Sequence, residues 1–120
     1  MGTTTQVPGR VQFGLFEADL SVGTLSKRGI QIKIQEKPFQ ILRILVQRRG
    51  ELVTRDELRR QLWPADTFVE FDEGLNTAIG KLRNALGDSA ERPAFVETVR
   101  GKGYRFIASL SDHARWLRDV

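Results

Sequence analysis

The residues of this chain best suited to chemistry are basic, and the densest group lies near the carboxy-terminal end. Arg100-Gly101-Lys102-Gly103-Tyr104-Arg105 sets three cations between glycines, with no acid from Thr98 to Ser109. Glycine lets backbone come close to a phosphate or enter a narrow groove, so this stretch suits an anionic partner. A second group, Lys81 and Arg83, rides beside the small residues Thr77, Ala78 and Gly80. The carboxylates Asp66, Glu70, Asp72 and Glu73 invite a metal reading. They lack the alternating acids and mid-loop glycine of a calcium loop, and no metal is expected there. His113 is the one histidine, flanked by Asp112 and near Ser109 and Ser111. A hydrolytic triad needs a buried base oriented by a third group, which a terminal tail does not supply. With zero cysteines, disulfides, thiolate nucleophiles and cysteine-ligated metals are excluded within the chain. The expectation is a binding protein without catalytic residues or cofactor.

The length of 120 residues makes one domain with a single core. Nineteen Lys and Arg against fifteen Asp and Glu leave a net charge of +4, a lean towards anionic partners. The most apolar run, residues 41–46, is interrupted by Arg43 and is far shorter than the ~18 residues of a spanning helix. The amino terminus lacks a secretory apolar region. A cytoplasmic protein without membrane contact is expected.

Positioning elements follow from the hydrophobic period. Residues 1–10, with three threonines, two glycines and a proline, read as a loose leader. Between 11 and 34, short alternating bursts punctuated by Gly14, Gly23 and Gly29 predict a small antiparallel sheet, with Ile30, Ile32 and Ile34 on one face and polar residues on the other. From Pro38 the period becomes helical: Phe39, Ile41, Leu42, Ile44, Leu45 and Val46 face a core, Arg43, Gln47, Arg48 and Arg49 face water, and Gly50 stops the helix. Thr54-Arg55-Asp56-Glu57 is a capping box opening a second helix, with Leu58 and Leu62 as its core face and Arg59 and Arg60 solvated. Residues 64–72 form an acidic loop. A third helix runs from about Glu73 to Leu86, with Asp72 as N-cap and Gly87 as stop. Leu75, Ile79, Leu82 and Leu86 form its apolar stripe, opposite Thr77, Gly80, Lys81 and Asn84. Strands over 95–99 and 104–108 flank the turn 100–103 as a hairpin. The domain spans 11–108, and the tail 109–120 is a short helix or an ordered stub. The aromatics Phe39, Trp63, Phe71, Phe95, Tyr104 and Phe106 are assigned to the core.

A helix sized for a major groove beside a basic β-loop is the arrangement by which a winged helix-turn-helix reads DNA. Three stretches carry a resemblance to a known family: VTRDEL at 53–58 with Leu62-Trp63, LNTAIGKLRNALG at 75–87, and FVETVRGKGYRF at 95–106. The chain resembles the OmpR/PhoB-type winged-helix DNA-binding domain of bacterial transcription regulators, over about 11–107. That resemblance implies an α+β fold: a four-stranded antiparallel amino-terminal sheet, three helices and a carboxy-terminal hairpin wing. It implies base reading in the major groove by Thr77, Ala78 and Lys81 on the recognition helix. Arg55, Arg83 and Thr98 are assigned to the DNA backbone, and Arg100 and Lys102 to the wing in the minor groove. The acidic loop matches the segment that contacts RNA polymerase in some members, which assigns Asp66 and Glu70. Head-to-tail pairing on tandem DNA half-sites is implied in the same way.

Two departures accompany the match. Only about ten residues precede the first strand, without an aspartate-centred receiver, an arrangement similar to CadC/ToxR-like regulators. Gly80 stands where many relatives carry a basic residue, so their base preferences do not transfer. The stretch 100–106 superficially resembles an RNA-recognition-motif signature, but Lys102 replaces its aromatic and the β-α-β-β-α-β order is missing. A protein-interaction winged helix and a non-specific DNA binder stay open.

Overall fold

The computed structural model describes residues 9–63 and 71–112. The chain opens with four strands, β1 (Arg10–Phe13), β2 (Phe16–Asp19), β3 (Thr24–Lys27) and β4 (Ile30–Ile32), followed by helix α1 (Glu36–Gln47). A two-residue strand β5 (Val53–Thr54) leads into α2 (Arg55–Leu62), and α3 (Phe71–Leu86) follows. Strands β6 (Val96–Val99) and β7 (Gly103–Phe106) make the terminal hairpin, and β8 (Ser111–Asp112) returns to the first sheet. Neighbours are antiparallel throughout: β4-β3-β2-β1-β8 in one sheet and β5-β7-β6 in the other. The expected four-stranded sheet, three helices and hairpin are all present, and the tail contributes a fifth strand through Val11↔Asp112 and Gln12↔Ser111.

Period-two burial lines the first sheet with Val11, Phe13, Phe16, Ala18 and Leu25, all at most 4 % exposed. Phe13 joins the two sheets: its ring centroid lies 5.3 Å from that of Phe106 and 5.6 Å from that of Phe95, both edge-on. Over these strands lies α1, buried through Phe39, Ile41, Leu42, Ile44, Leu45 and Val46. This helix begins at Glu36, two residues before the expected start, with Pro38 still in its first turn, where the missing N–H is harmless. The stripe Leu75, Ile79, Leu82, Leu86 packs α3 into the same core. The capping box is present, with Thr54 Oγ1 accepting from the Glu57 N–H at 3.0 Å and Glu57 Oε1 from the Thr54 N–H at 2.9 Å.

Ile30 is 72 % exposed, because β4 is the sheet edge and its outer end has a neighbour on one side only. Several expectations are corrected. Arg43 and Arg48 are not merely solvated: Arg43 Nη2 donates to the Leu20 carbonyl at 2.6 Å, while Arg48 pairs with Glu57 at 2.6 Å and Glu51 at 3.2 Å. On α2, Arg59 and Arg60 both pair with Asp56. Since α3 starts at Phe71, Asp72 lies inside its first turn and is not the N-cap. Strand β7 begins at Gly103, which shortens the hairpin connection to Arg100-Gly101-Lys102. Of the aromatics, Phe39, Tyr104 and Phe106 are buried, and Trp63, Phe71 and Phe95 pack half-buried against the core.

Candidate nucleic-acid interface

Helical spacing sorts the residues of α3. Leu75, Ala78, Ile79, Leu82 and Leu86 are buried, whereas Glu73, Asn76, Thr77, Gly80, Lys81 and Asn84 are exposed. The assigned base readers Thr77 and Lys81 therefore share the outer face. Ala78 does not join them: it is 5 % exposed because, three residues after Leu75 and four before Leu82, it falls on the apolar stripe. At the centre of the outer face, a Cβ added to Gly80 would meet nothing within 4 Å. The middle of this helix thus offers a flat, unobstructed approach.

Beside that face runs a groove of about 570 Å³ between α3 and the first turn of α1, lined by Gln35, Lys37, Trp63, Thr77 and Lys81 among others. The Lys37 ammonium sits 5.4 Å from the centre of the Trp63 ring, and the Lys81 ammonium donates to Gln35 Oε1 at 2.7 Å.

Two arginines fasten α3 to the hairpin. Near its carboxy-terminal end, Arg83 Nη2 donates to the Val96 carbonyl at 2.9 Å and to Thr98 Oγ1 at 2.7 Å, so the assigned backbone residues Arg83 and Thr98 are one hydrogen-bonded unit. At its amino-terminal end, Arg55 Nη1 donates to Tyr104 Oη at 3.0 Å and Asn76 Oδ1 at 3.2 Å, and Nη2 to Asp72 Oδ1 at 3.0 Å. Its guanidinium also lies over the Phe71 ring. Arg55 is thereby a joint between α2, α3 and β7.

The hairpin tip is built by local chemistry. Gly101 adopts φ 75°, a left-handed turn position that favours glycine, and the Lys102 N–H closes the turn onto Val99 O at 2.9 Å. The Lys102 carbonyl accepts from the Arg55 N–H at 3.2 Å, tying the tip to the start of α2. Gly103 has a different reason to be glycine: an added Cβ would stand 2.1 Å from the Val53 carbonyl oxygen, so only glycine lets β7 lie this close to β5. Arg100 and Lys102 are exposed and form no ion pair among the described residues. Arg105 instead pairs with Glu97 at 3.3 Å across the ladder.

The link from α3 to β6 is folded by Asp88, whose carboxylate accepts from the backbone N–H groups of Ala94, Phe95 and Val96 at 2.7, 3.2 and 2.9 Å. Burial pushes its carboxyl up, but these donors outweigh burial and hold it below its ordinary value. Sequence reasoning missed Asp88, Gln35 and Asn76. Asp at the start of a Ser/Pro-containing link is a turn-forming signal that could have found Asp88. Nothing local marks Gln35. Asp66 and Glu70 lie outside the described residues.

A helical core presenting one open helix face, with a basic β-hairpin latched to that helix at both ends, defines a winged helix-turn-helix. The chain belongs to the family described as transcriptional regulatory protein, C terminal, which matches residues 29–106. It is 35 % identical over 79 residues to the cholera toxin homolog transcriptional activator of Vibrio parahaemolyticus, covering 66 % of this chain and 27 % of that protein. It is 37 % identical over 86 residues to the response regulator protein GraR of Staphylococcus saprophyticus, covering 72 % and 38 %. The chain therefore spans about a quarter to two-fifths of the length of these curated relatives. Among solved structures, the RstA DNA-binding domain of Klebsiella pneumoniae, in complex with the RstA box, superposes with a TM-score of 0.70. The two are 30 % identical, with 82 % of this chain and 96 % of that one covered. Among the described residues no helix is long and apolar enough to cross a membrane.

Proposed function

We propose that this chain is the sequence-specific duplex-DNA-binding unit of a bacterial transcription regulator. The observation that carries the reading is the double latch, Arg83 to Thr98 and Arg55 to Tyr104, which makes the open face of α3 and the cationic hairpin tip one surface. A helix in the major groove and a loop in the adjacent minor groove must keep a fixed separation, and latches of this kind hold it. Thr77 and Lys81 read base edges; Arg83 with Thr98, and Arg55 through its remaining donors, set register on phosphates; Arg100 and Lys102 enter the minor groove. The relative solved with the RstA box supports this placement by analogy. Ala78 packs and does not read. The reading is of a binding module in the cytoplasm, with no catalytic step. Pairing on tandem half-sites, and polymerase contact through Asp66 and Glu70, extend it to the whole regulator.

The test is selection of retained duplexes from a random pool at two salt concentrations. An enriched motif establishes sequence reading. Retention without enrichment, lost steeply with salt, would reduce the protein to a phosphate binder. No retention at low salt would overturn the DNA reading in favour of protein partners.

A further inference from the structure

Gln35 occupies the N-cap of α1, yet its side chain makes no capping hydrogen bond. Its carbonyl is already committed to the helix, accepting from the Phe39 N–H at 3.1 Å, so the backbone of Gln35 is fixed. The side chain instead spans to α3, where Oε1 accepts from the Lys81 ammonium at 2.7 Å. The orientation of the amide follows from chemistry, because an ammonium only donates and must be met by the oxygen. Two consequences follow. An exposed lysine otherwise samples many rotamers, and this bond restricts Lys81 to one side of the open face of α3. What Lys81 then presents outward is donors only, the two N–H groups that Gln35 does not engage.

We propose that Gln35 is a positioning residue that aims Lys81 at an acceptor-only base edge and so confers a guanine preference at the step Lys81 reads. In the major groove guanine offers two adjacent acceptors, N7 and O6, to the two free N–H groups of Lys81; thymine offers one, O4, beside a methyl group, and adenine and cytosine place an amino donor there that a donor-only ammonium opposes. The inference rests on the DNA-binding reading above. It assigns specificity to a residue outside α3, one that no helical-face argument on α3 would reach.

The test is a double-mutant cycle of Gln35→Ala and Lys81→Ala on the selected duplex, on duplexes with single base replacements, and on an unrelated duplex. The step read by Lys81 is the one whose preference Lys81→Ala removes. Gln35→Ala is expected to lower affinity for the selected duplex about five- to tenfold and to flatten the guanine preference at that step. Binding to the unrelated duplex and the salt dependence should stay unchanged, and in the Lys81→Ala background Gln35→Ala should change affinity less than about twofold. In the free protein, the Lys81 ammonium signal in nitrogen-detected NMR should broaden or vanish in Gln35→Ala. Equal losses on every duplex, a loss persisting without Lys81, an undiminished preference in Lys81→Ala, or an ammonium signal indifferent to Gln35 would each overturn the proposal. A wild-type protein that enriches no motif overturns it together with the DNA reading, while an enriched motif with Gln35 uncoupled from Lys81 overturns the inference alone.

Discussion

Arg55 Nη1 lies 3.0 Å from the phenolic oxygen of Tyr104, a bond across 49 positions that joins the first residue of α2 to the middle of the wing. The same guanidinium holds Asp72 and Asn76 of α3, so helix, helix and hairpin meet at one planar group. Arginine suits this because its donors leave a rigid plane in fixed directions. The separation of the recognition helix and the wing is therefore set by side-chain geometry as well as by the hydrophobic core.

Tyr104→Phe removes the hydroxyl from a residue that is only 5 % exposed and leaves Arg55 with two of its three partners. The expected loss of stability is about 0.5–1.5 kcal/mol, read from the urea midpoint at unchanged slope. Affinity for a selected duplex should fall by more than the stability change explains, because the latch is loosened. Unchanged affinity would mean the core alone sets the helix-to-wing distance.

Two glycines make opposite predictions. Gly103→Ala drives a Cβ to 2.1 Å from the Val53 carbonyl oxygen and 2.8 Å from Thr54 Cα, both backbone atoms that cannot step aside. A loss of more than about 3 kcal/mol is expected. Gly80→Ala places a methyl group in open space within a helix and should raise stability by about 0.5–1 kcal/mol. A thermal melt of Gly103→Ala that does not fall would contradict the close approach of β7 and β5, and a melt of Gly80→Ala that falls would contradict the open space beside α3.

Acid should unfold the protein through carboxylates held in their charged form. Glu57 is kept below its ordinary value first by the Thr54 backbone N–H and then by the Arg48 guanidinium. Asp88 is depressed too, its backbone donors outweighing burial. A depressed carboxyl contributes stability that is fully present above its unfolded value, about pH 4, and is lost as pH falls through the lower folded value. Unfolding free energy should be flat from about pH 5 to 7 and decline below about pH 4. Asp88→Asn should cost about 1–3 kcal/mol at pH 7 and shallow the acid decline. An acid decline of unaltered depth in that variant would remove Asp88 from the account.

Lys81→Ala and Arg100→Ala should separate two kinds of DNA contact. On a selected duplex Lys81→Ala should cost about 1–3 kcal/mol, and less on random DNA. Arg100→Ala should weaken both, with the larger effect on sites whose minor groove is narrow at the wing position. Filter-binding titrations across salt measure both, and equal losses for Lys81→Ala on every duplex would make it a phosphate contact.

The sequence by itself determined the elements and their faces, because these depend on neighbours a few positions apart. The capping box at Thr54 and Glu57, the stripe from Leu75 to Leu86 and the basic hairpin around Gly101 all follow from local stereochemistry and period. The same periodicity places Ala78 on the stripe, three residues after Leu75 and four before Leu82; its assignment to base reading came from the family resemblance and not from the period. Tertiary structure alone decided the long-range bonds: Gln35 with Lys81, Arg55 with Tyr104 and Asp72, Arg48 with Glu57, and the return of β8 to β1. It also decided that Gly103 serves close strand packing and Gly101 the turn, roles that look alike in sequence. A charged or amide side chain carries no periodic signal of its partner. Its role is set by which distant donor or acceptor the packed core brings within about 3 Å.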